Sequence, residues 1–259
     1  MRKSKSKSQH PLSLSTRRTP LPSTFSDNLP LPSLIVFDLD YTLWPFWVDT
    51  HVTAPVKPAA PAGSGQYNSH MVDRYGESYG FYDDVPGILA SAKERGVAMS
   101  LASRTHAPDL ARDMLRGLHV PNNAEGGDVE KTTTTTSSSA KGDTTATKTD
   151  GQPSFRRAID FFVHPQIYPG TKTTHFRRIH TAMQKADTPV AFEDMLFFDD
   201  EGRNRNVETE LGVTFWLVRD GVSSEEVDKG VWEWRKRKGI SKQDLRSASD
   251  GDDVAELEG

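Results

Sequence analysis

Short apolar runs rich in β-branched and aromatic residues punctuate the middle of the chain at Leu34 to Phe37, Val97 to Ala102, Phe161 to Val163, Met195 to Phe198 and Val213 to Val218. Runs of this length, with almost no polar position inside, have the composition of strands buried on both faces. Between them, apolar positions recur at helical spacing over Val85 to Arg95, Pro108 to Leu118 and Lys172 to Lys185, and Pro108 suits the first turn of its helix. Strands alternating with helices imply right-handed crossovers and a parallel sheet covered on both faces. The pattern therefore predicts a doubly wound α/β fold. A polar-aromatic alternation from Met71 to Tyr82 predicts a small hairpin flap. The amphipathic segment Val231 to Lys238 reads as a last helix on the sheet, its sharper alternative being a partner or membrane surface built from Trp232, Trp234 and their basic neighbours.

Three stretches lack this rhythm, and they explain why only 35% of the 259 residues are hydrophobic. Residues 1–29 hold Arg2, Lys3, Lys5, Lys7, Arg17 and Arg18 with many Ser and Pro and no acid before Asp27, a composition that buries too little to fold. An organelle transit peptide is similarly acid-poor, but Pro11, Pro20 and Pro22 interrupt any amphipathic helix here. Residues 121–153 carry Thr132 to Thr136 and Ser137 to Ser139. They read as a low-complexity surface insertion, tolerated because loop-closure entropy grows only logarithmically with length. Residues 241–259, with Asp244, Asp250, Asp252, Asp253, Glu256 and Glu258, read as an acidic tail. What remains, 30–240, is one domain.

The chain has no Cys, which excludes a disulfide framework, a thiolate zinc site and a cysteine nucleophile. A net charge of −4 supplies no global basic field for nucleic acid. No apolar run approaches the roughly 18 residues of a membrane span, and none at the start resembles a secretory leader. The expectation is a soluble cytoplasmic or nuclear protein, monomeric, with neither a nucleic-acid nor a membrane partner.

In doubly wound sheets ligands bind beyond the carboxyl ends of the strands, and there the polar residues collect. Asp38-Leu39-Asp40-Tyr41-Thr42 follows the first run, Ser103-Arg104-Thr105 the second, and Asp199-Asp200-Glu201 the fourth, while Lys172 opens a helix beyond the third. Taken singly, each reads as a cap, an Asx-turn or a solvated charge. Together, four acids beside one lysine would repel unless a cation sat among them, and Mg²⁺, a hard ion that takes carboxylates and substrate phosphate, fits. Asp38 can then be a nucleophile toward phosphorus, with Asp40 protonating the leaving oxygen and later activating water. The Leu39 N–H and the Ser103 hydroxyl would hold phosphate oxygens, Lys172 would neutralise developing charge, and Asp200, with or without Asp199, would complete the metal ligands.

Val36-Phe37-Asp38-Leu39-Asp40-Tyr41-Thr42-Leu43-Trp44-Pro45 resembles the first motif of the haloacid dehalogenase (HAD) superfamily. More narrowly, Leu43 to His51, Ala102 to Thr105, Tyr168 to Lys172 with Thr174-His175-Phe176, and Phe197 to Glu201 resemble the eukaryotic magnesium-dependent phosphatases, over roughly residues 32 to 225. The resemblance implies a Rossmann-like core without a large cap domain, Mg²⁺ as cofactor, and activity on phosphotyrosine and sugar phosphates. It implies Asp38 as nucleophile, Asp40 as general acid and base, and Ser103 and Lys172 as phosphate ligands. The metal ligands it implies are Asp38, the main-chain carbonyl of Asp40, and Asp200. It also puts Trp47 and Arg104 at the border of the substrate, although Trp47 reads equally well as part of a buried aromatic plug with Trp44 and Phe46.

Other readings fit less well. A phosphorelay receiver places its acidic pair first and its lone acceptor Asp later, the reverse of the order here. A non-catalytic phosphate-binding or phosphotransfer module gains nothing from two extra carboxylates. A dehalogenase or phosphonate-cleaving enzyme needs no proton donor for its leaving group, whereas Asp40 supplies one. A phosphomutase would want a cap.

Overall fold

The computed structural model describes residues 21–61, 63–122 and 155–242. In chain order its elements are β1 (Leu34–Phe37), the single turn α1 (Val48–His51), β2 (Lys57–Pro58), β3 (His70–Val72), β4 (Ser78–Gly80), α2 (Val85–Glu94), β5 (Ala98–Ser103), α3 (Pro108–Gly117), β6 (His119–Pro121), β7 (Phe155–Arg157), β8 (Gln166–Ile167), α4 (Lys172–Lys185), β9 (Met195–Asp199), α5 (Asn206–Leu211), β10 (Thr214–Leu217) and α6 (Ser224–Arg237).

A parallel sheet runs in the order β10-β9-β1-β5-β8. Its strands are continuous apolar runs because alternate residues face two different helical layers. Leu34 and Val36 of β1 pack with Phe176, Ile179 and Met183 of α4 and Val207 of α5. Ile35 and Phe37 pack with Ile88 of α2, Met114 and Leu115 of α3 and Val227 and Val231 of α6. The chain winds outward from β1 through β5 to β8, then crosses back to β9 and β10 on the other side. The winding direction therefore reverses between β1 and β9, and the crevice at their carboxyl ends is where such folds bind ligands.

Three findings adjust the sequence reading. The run Phe161 to Val163 is not a strand. Ala158–Phe161 form a 3-10 turn, Phe161 and Phe162 plug the core, and although the Val163 N–H donates to the Met99 carbonyl of β5 at 2.8 Å, the strand ladder with β5 begins at Gln166. His164-Pro165 intervenes, with His164 at φ 49° and a proline that cannot donate to a ladder. Next, residues 21–29, read as tail, are packed on α6. Asp228 accepts from the N–H and hydroxyl groups of Ser23 and Thr24, Phe25 is buried, and buried Arg235 donates to Asp27 at 2.6 Å and to the carbonyls of Thr24, Leu29 and Pro30. Those 1–20 and 243–259 lie outside the described residues.

The last helix is longer than its apolar segment and begins at Ser224. Three of the four basic residues at its end are spent internally: Arg235 on Asp27, Arg237 on Glu208 and Glu233, and Lys238 on Asp194, while Lys236 is exposed. This supports the core-packing role over a partner or membrane surface, and among the described residues no helix is long and apolar enough to cross a membrane. The Thr/Ser-rich sequence, at 123–154, also falls outside the described residues, but β6 and β7 pair across its two ends, with Pro121 opposite Phe155. Joining Asn122 to Phe155 through one glycine would close this pair with an Asn-Gly turn. The shortened protein is expected to melt within about 5 °C of the full chain; loss of soluble protein would show that the deleted stretch supports the core.

The hairpin read from Met71 to Tyr82 is present as β3 and β4, extended by β2. The Tyr79 hydroxyl donates to the His51 carbonyl at 2.6 Å, and the Thr53 N–H to Asp73 at 3.2 Å. The hairpin is thus tied to the end of α1. Against the sheet, α6 approaches so closely that a Cβ on Gly230 would lie 2.6 Å from the Phe198 ring. Glycine is required there because Phe198 ends the apolar part of β9, directly before Asp199.

Candidate active site

The end of β1 carries the first acids. The Asp38 N–H donates to the Phe198 carbonyl at 2.9 Å, which prolongs the β1–β9 pairing by one residue and delivers the carboxylate into the crevice. The chain then turns sharply. The Leu39 carbonyl accepts from Thr42, Leu43 and Trp44, and Tyr41 takes the left-handed conformation at φ 51°, rare for an aromatic residue and typical of strained functional turns. Asp40 swings the other way. Its Oδ1 accepts from Trp44 Nε1 at 2.7 Å and from the Val48 N–H at 3.1 Å, capping α1.

Lys172 is the first residue of α4, whose N-cap Thr171 accepts from the Thr174 N–H. From that position its buried ammonium reaches Asp38 Oδ1 at 2.7 Å, Asp199 Oδ2 at 2.9 Å and the Ala102 carbonyl. All three donor directions of the ammonium are used. Ser103, the last residue of β5, is buried; its carbonyl accepts from the Tyr168 N–H at 3.1 Å and its Oγ from the Thr105 N–H at 3.4 Å. The hydroxyl proton remains to donate.

Asp38, Asp199 and Asp200 each present an oxygen within 4.8 Å of the others. The Asp40 carboxylate is not in this group, being turned to Trp44 and Val48, so a metal role for Asp40 falls to its main-chain carbonyl. All-oxygen donors on hard carboxylates suit Mg²⁺. Charge points the same way, since four acids crowd one lysine. Burial pushes Asp38 up to about 8, with Lys172 pulling against it and Asp199 and Asp40 adding to it. Burial and then Asp199 push Asp200 up to about 6. Burial also raises Asp40, against the hydrogen bonds from Trp44 and Val48. Burial alone would lower Lys172, but Asp38 and Asp199 outweigh it and hold the ammonium above its usual value.

These shifts set a pH dependence. Acids with raised values bind protons more tightly in the folded than in the unfolded state, so folding stability falls as pH rises. His175, buried and held down to about 4, opposes this only below its ordinary value of 6.5. Without metal, the melting temperature is therefore expected to fall between about pH 6.5 and 8. With Mg²⁺ the trend flattens or reverses. A melting temperature in EDTA that climbs over the same interval would contradict the shifts.

The aromatic plug is divided. Trp44 and Phe46 are buried and stacked at 5.2 Å, whereas Trp47 is 50% exposed. Its indole lies over His51 at 5.8 Å and edge-on to Tyr41 at 5.2 Å, and the Trp47 main-chain N–H donates to His51 Nδ1 at 3.0 Å. Arg104, half-exposed, donates to Asn204 at 3.4 Å and pairs with Glu201 at 3.6 Å. The crevice thus gathers Asp38, Leu39, Asp40, Ser103, Lys172, Asp199 and Asp200, with Arg104 beside Glu201 and Trp47 next to the Val48 N–H that holds Asp40. Sequence reasoning missed Asn204, which binds Asp199, and His51, which supports Trp47. Neither stands out among polar loop residues in one dimension.

The family model described as Acid Phosphatase matches residues 30–237. A protein of Schizosaccharomyces pombe named as a HAD-like hydrolase superfamily protein is 39% identical over 188 residues, 73% of this chain and 86% of the relative. Magnesium-dependent phosphatase 1 of Homo sapiens is 34% identical over 201 residues, 78% of this chain and 86% of the relative. With the fold, the acidic crevice and the buried lysine all in keeping with these matches, the chain belongs to the acid phosphatase family of the HAD-like hydrolases.

Proposed function

We propose that this chain is a magnesium-dependent phosphatase that hydrolyses phosphate monoesters, phosphotyrosine or sugar phosphates, through an aspartyl-phosphate on Asp38. The observation that carries the reading is the buried Lys172 ammonium held 2.7 Å from Asp38 and 2.9 Å from Asp199 at the switch between β1 and β9. A carboxylate nucleophile must meet an anionic phosphate, and this cation pulls Asp38 toward its ionised form against the effect of burial while offsetting charge on the phosphoryl oxygens. Asp38, Asp200 and the Asp40 carbonyl would hold Mg²⁺, which when bound offsets the negative charge of nucleophile and phosphate together.

An Asp38 carboxylate oxygen attacks phosphorus and the bond from phosphorus to the ester oxygen breaks. Asp40, whose carboxyl burial shifts toward its protonated form, gives its proton to the departing oxygen. In the second half a water attacks the phosphorus of the aspartyl-phosphate, Asp40 takes the proton, and inorganic phosphate leaves with Asp38 restored. The Leu39 N–H and Ser103 hydroxyl hold phosphoryl oxygens in both halves. Trp47, with Tyr41 and His51 behind it, offers a flat apolar face to an aromatic leaving group, and Arg104 offers charge to an acidic one.

Hydrolysis of p-nitrophenyl phosphate with Mg²⁺ and with EDTA tests the reaction class, and phosphotyrosyl peptides run against sugar phosphates test the substrate. Activity that disappears with EDTA is expected. A folded, Mg²⁺-loaded protein that hydrolyses none of these esters would instead be a phosphate-binding module of the same fold.

A further inference from the structure

Asn204 sits in the turn between Asp200 and α5, and only 4% of it is exposed. Its amide nitrogen donates to Asp199 Oδ1 at 2.9 Å, to Asp199 Oδ2 at 3.0 Å and to Glu201 Oε2 at 3.2 Å. Its amide oxygen accepts from Arg104 Nη1 at 3.4 Å. One neutral side chain thereby joins the acidic turn after β9 to the arginine after β5.

We propose that Asn204 is a positioning residue of the phosphatase site: it turns Asp199 away from the divalent cation and fixes it as the counter-ion of Lys172. The inference rests on the phosphatase reading above. A carboxylate offers about four lone-pair directions. Those of Asp199 are taken by the Asn204 amide on both oxygens, by the Glu201 N–H at 2.7 Å on Oδ1 and by Lys172 at 2.9 Å on Oδ2. Asp199 is near enough to the other acids to reach a shared cation, but its oxygens are already engaged. Asp200, the next residue and partly exposed, is left for the metal. Two adjacent acids thus acquire different tasks.

The neutral amide suits this position because it donates without bringing charge into an acidic pocket. A carboxylate of the same shape would face Asp199 with nothing to donate. Through its oxygen, Asn204 also steadies the Arg104 guanidinium beside Ser103, so phosphate-side groups from β5 and α4 share one support.

Wild type, Asn204→Ala, Asn204→Ser and Asn204→Asp would be compared. The measurements are melting temperature, calorimetric affinity for inorganic phosphate in Mg²⁺, half-saturation by Mg²⁺, and KM and kcat for p-nitrophenyl phosphate. In Asn204→Ala, phosphate affinity is expected to fall about tenfold, with KM rising in parallel, because Lys172 loses its fixed partner. Asn204→Asp should lose roughly 100-fold in kcat/KM, and Asn204→Ser should recover part of the Ala deficit by donating one hydrogen bond. Half-saturation by Mg²⁺ should be unchanged or lowered, since a released Asp199 can only add a ligand. Weakened Mg²⁺ binding with intact phosphate affinity would overturn the proposal and assign Asn204 to the metal. A loss confined to melting temperature, or full activity in Asn204→Ala, would make its role structural. Were wild type to hydrolyse nothing, the phosphatase reading would fall, while the phosphate titrations would still decide what Asn204 does.

Discussion

Asp38→Asn is expected to lose p-nitrophenyl phosphate hydrolysis by about 10⁴-fold or more, yet to leave the metal-free protein at least as stable as wild type near neutral pH. Both effects have one cause. The Asp38 carboxyl is buried, and desolvation outweighs the attraction of Lys172, so its charged form is costly in the folded state. An amide of the same shape removes that charge and leaves Lys172 paired with Asp199 at 2.9 Å. The amide is no nucleophile and a poor ligand for a hard cation. The rise in melting temperature that Mg²⁺ gives wild type should therefore shrink in the variant, as calorimetry with Mg²⁺ and with EDTA would record. Retention of a tenth of the activity would remove Asp38 from the chemistry. Marked loss of stability in EDTA would show that the carboxylate holds the crevice together.

Lys172→Met has the opposite signature, damaging fold and function at once. The methionine fills the volume over the Phe197 ring, where the ammonium lies 5.2 Å from the ring centre. It leaves Asp38 and Asp199 buried without their cation, at a cost of roughly 3–5 kcal/mol near neutral pH. That cost should decline as pH falls, starting near the value of about 8 to which burial already pushes Asp38, because a proton replaces the lost charge. Loss of the cation facing phosphate should lower kcat/KM by roughly 10²–10³-fold even at saturating Mg²⁺. Urea unfolding at several pH values, set beside kinetics, separates the two effects. Equal stability of variant and wild type at neutral pH would mean that the lysine does not balance these acids.

The strands of the central sheet were legible because β1, β5, β9 and β10 are buried on both faces and so are apolar at nearly every position. Phe161 to Val163 has the same composition for another reason: its rings plug the core from a 3-10 turn, and apolarity alone does not distinguish a plug from a strand. Residues 21–29 were misjudged because what holds them is remote in sequence, a buried Arg235 and an Asp228 more than 200 residues away. At the site, the acids, Ser103 and Lys172 were visible since each follows a strand or opens a helix at the same sheet edge. The separate environments of Asp199 and Asp200 were not. Adjacent and chemically identical, they differ only in that Asn204, Glu201 and Lys172 converge on one of them, a relation that exists only in three dimensions. Trp47 was ambiguous for a similar cause, because its exposure depends on the turn at Tyr41 and on the His51 ring beneath it.

The short turn α1 is tied at both ends, to the Asp40 carboxylate through the Val48 N–H at 3.1 Å and to the hairpin through the Tyr79 hydroxyl on the His51 carbonyl at 2.6 Å. Asp40, the proton donor of the proposed mechanism, and the aromatic rim are therefore held in one frame, and lifting the rim would pull on the acid. Selection among substrates then works like a gauge, by whether a leaving group fits a fixed opening, and a bulky phosphopeptide and a small ester should differ in KM far more than in the viscosity dependence of kcat.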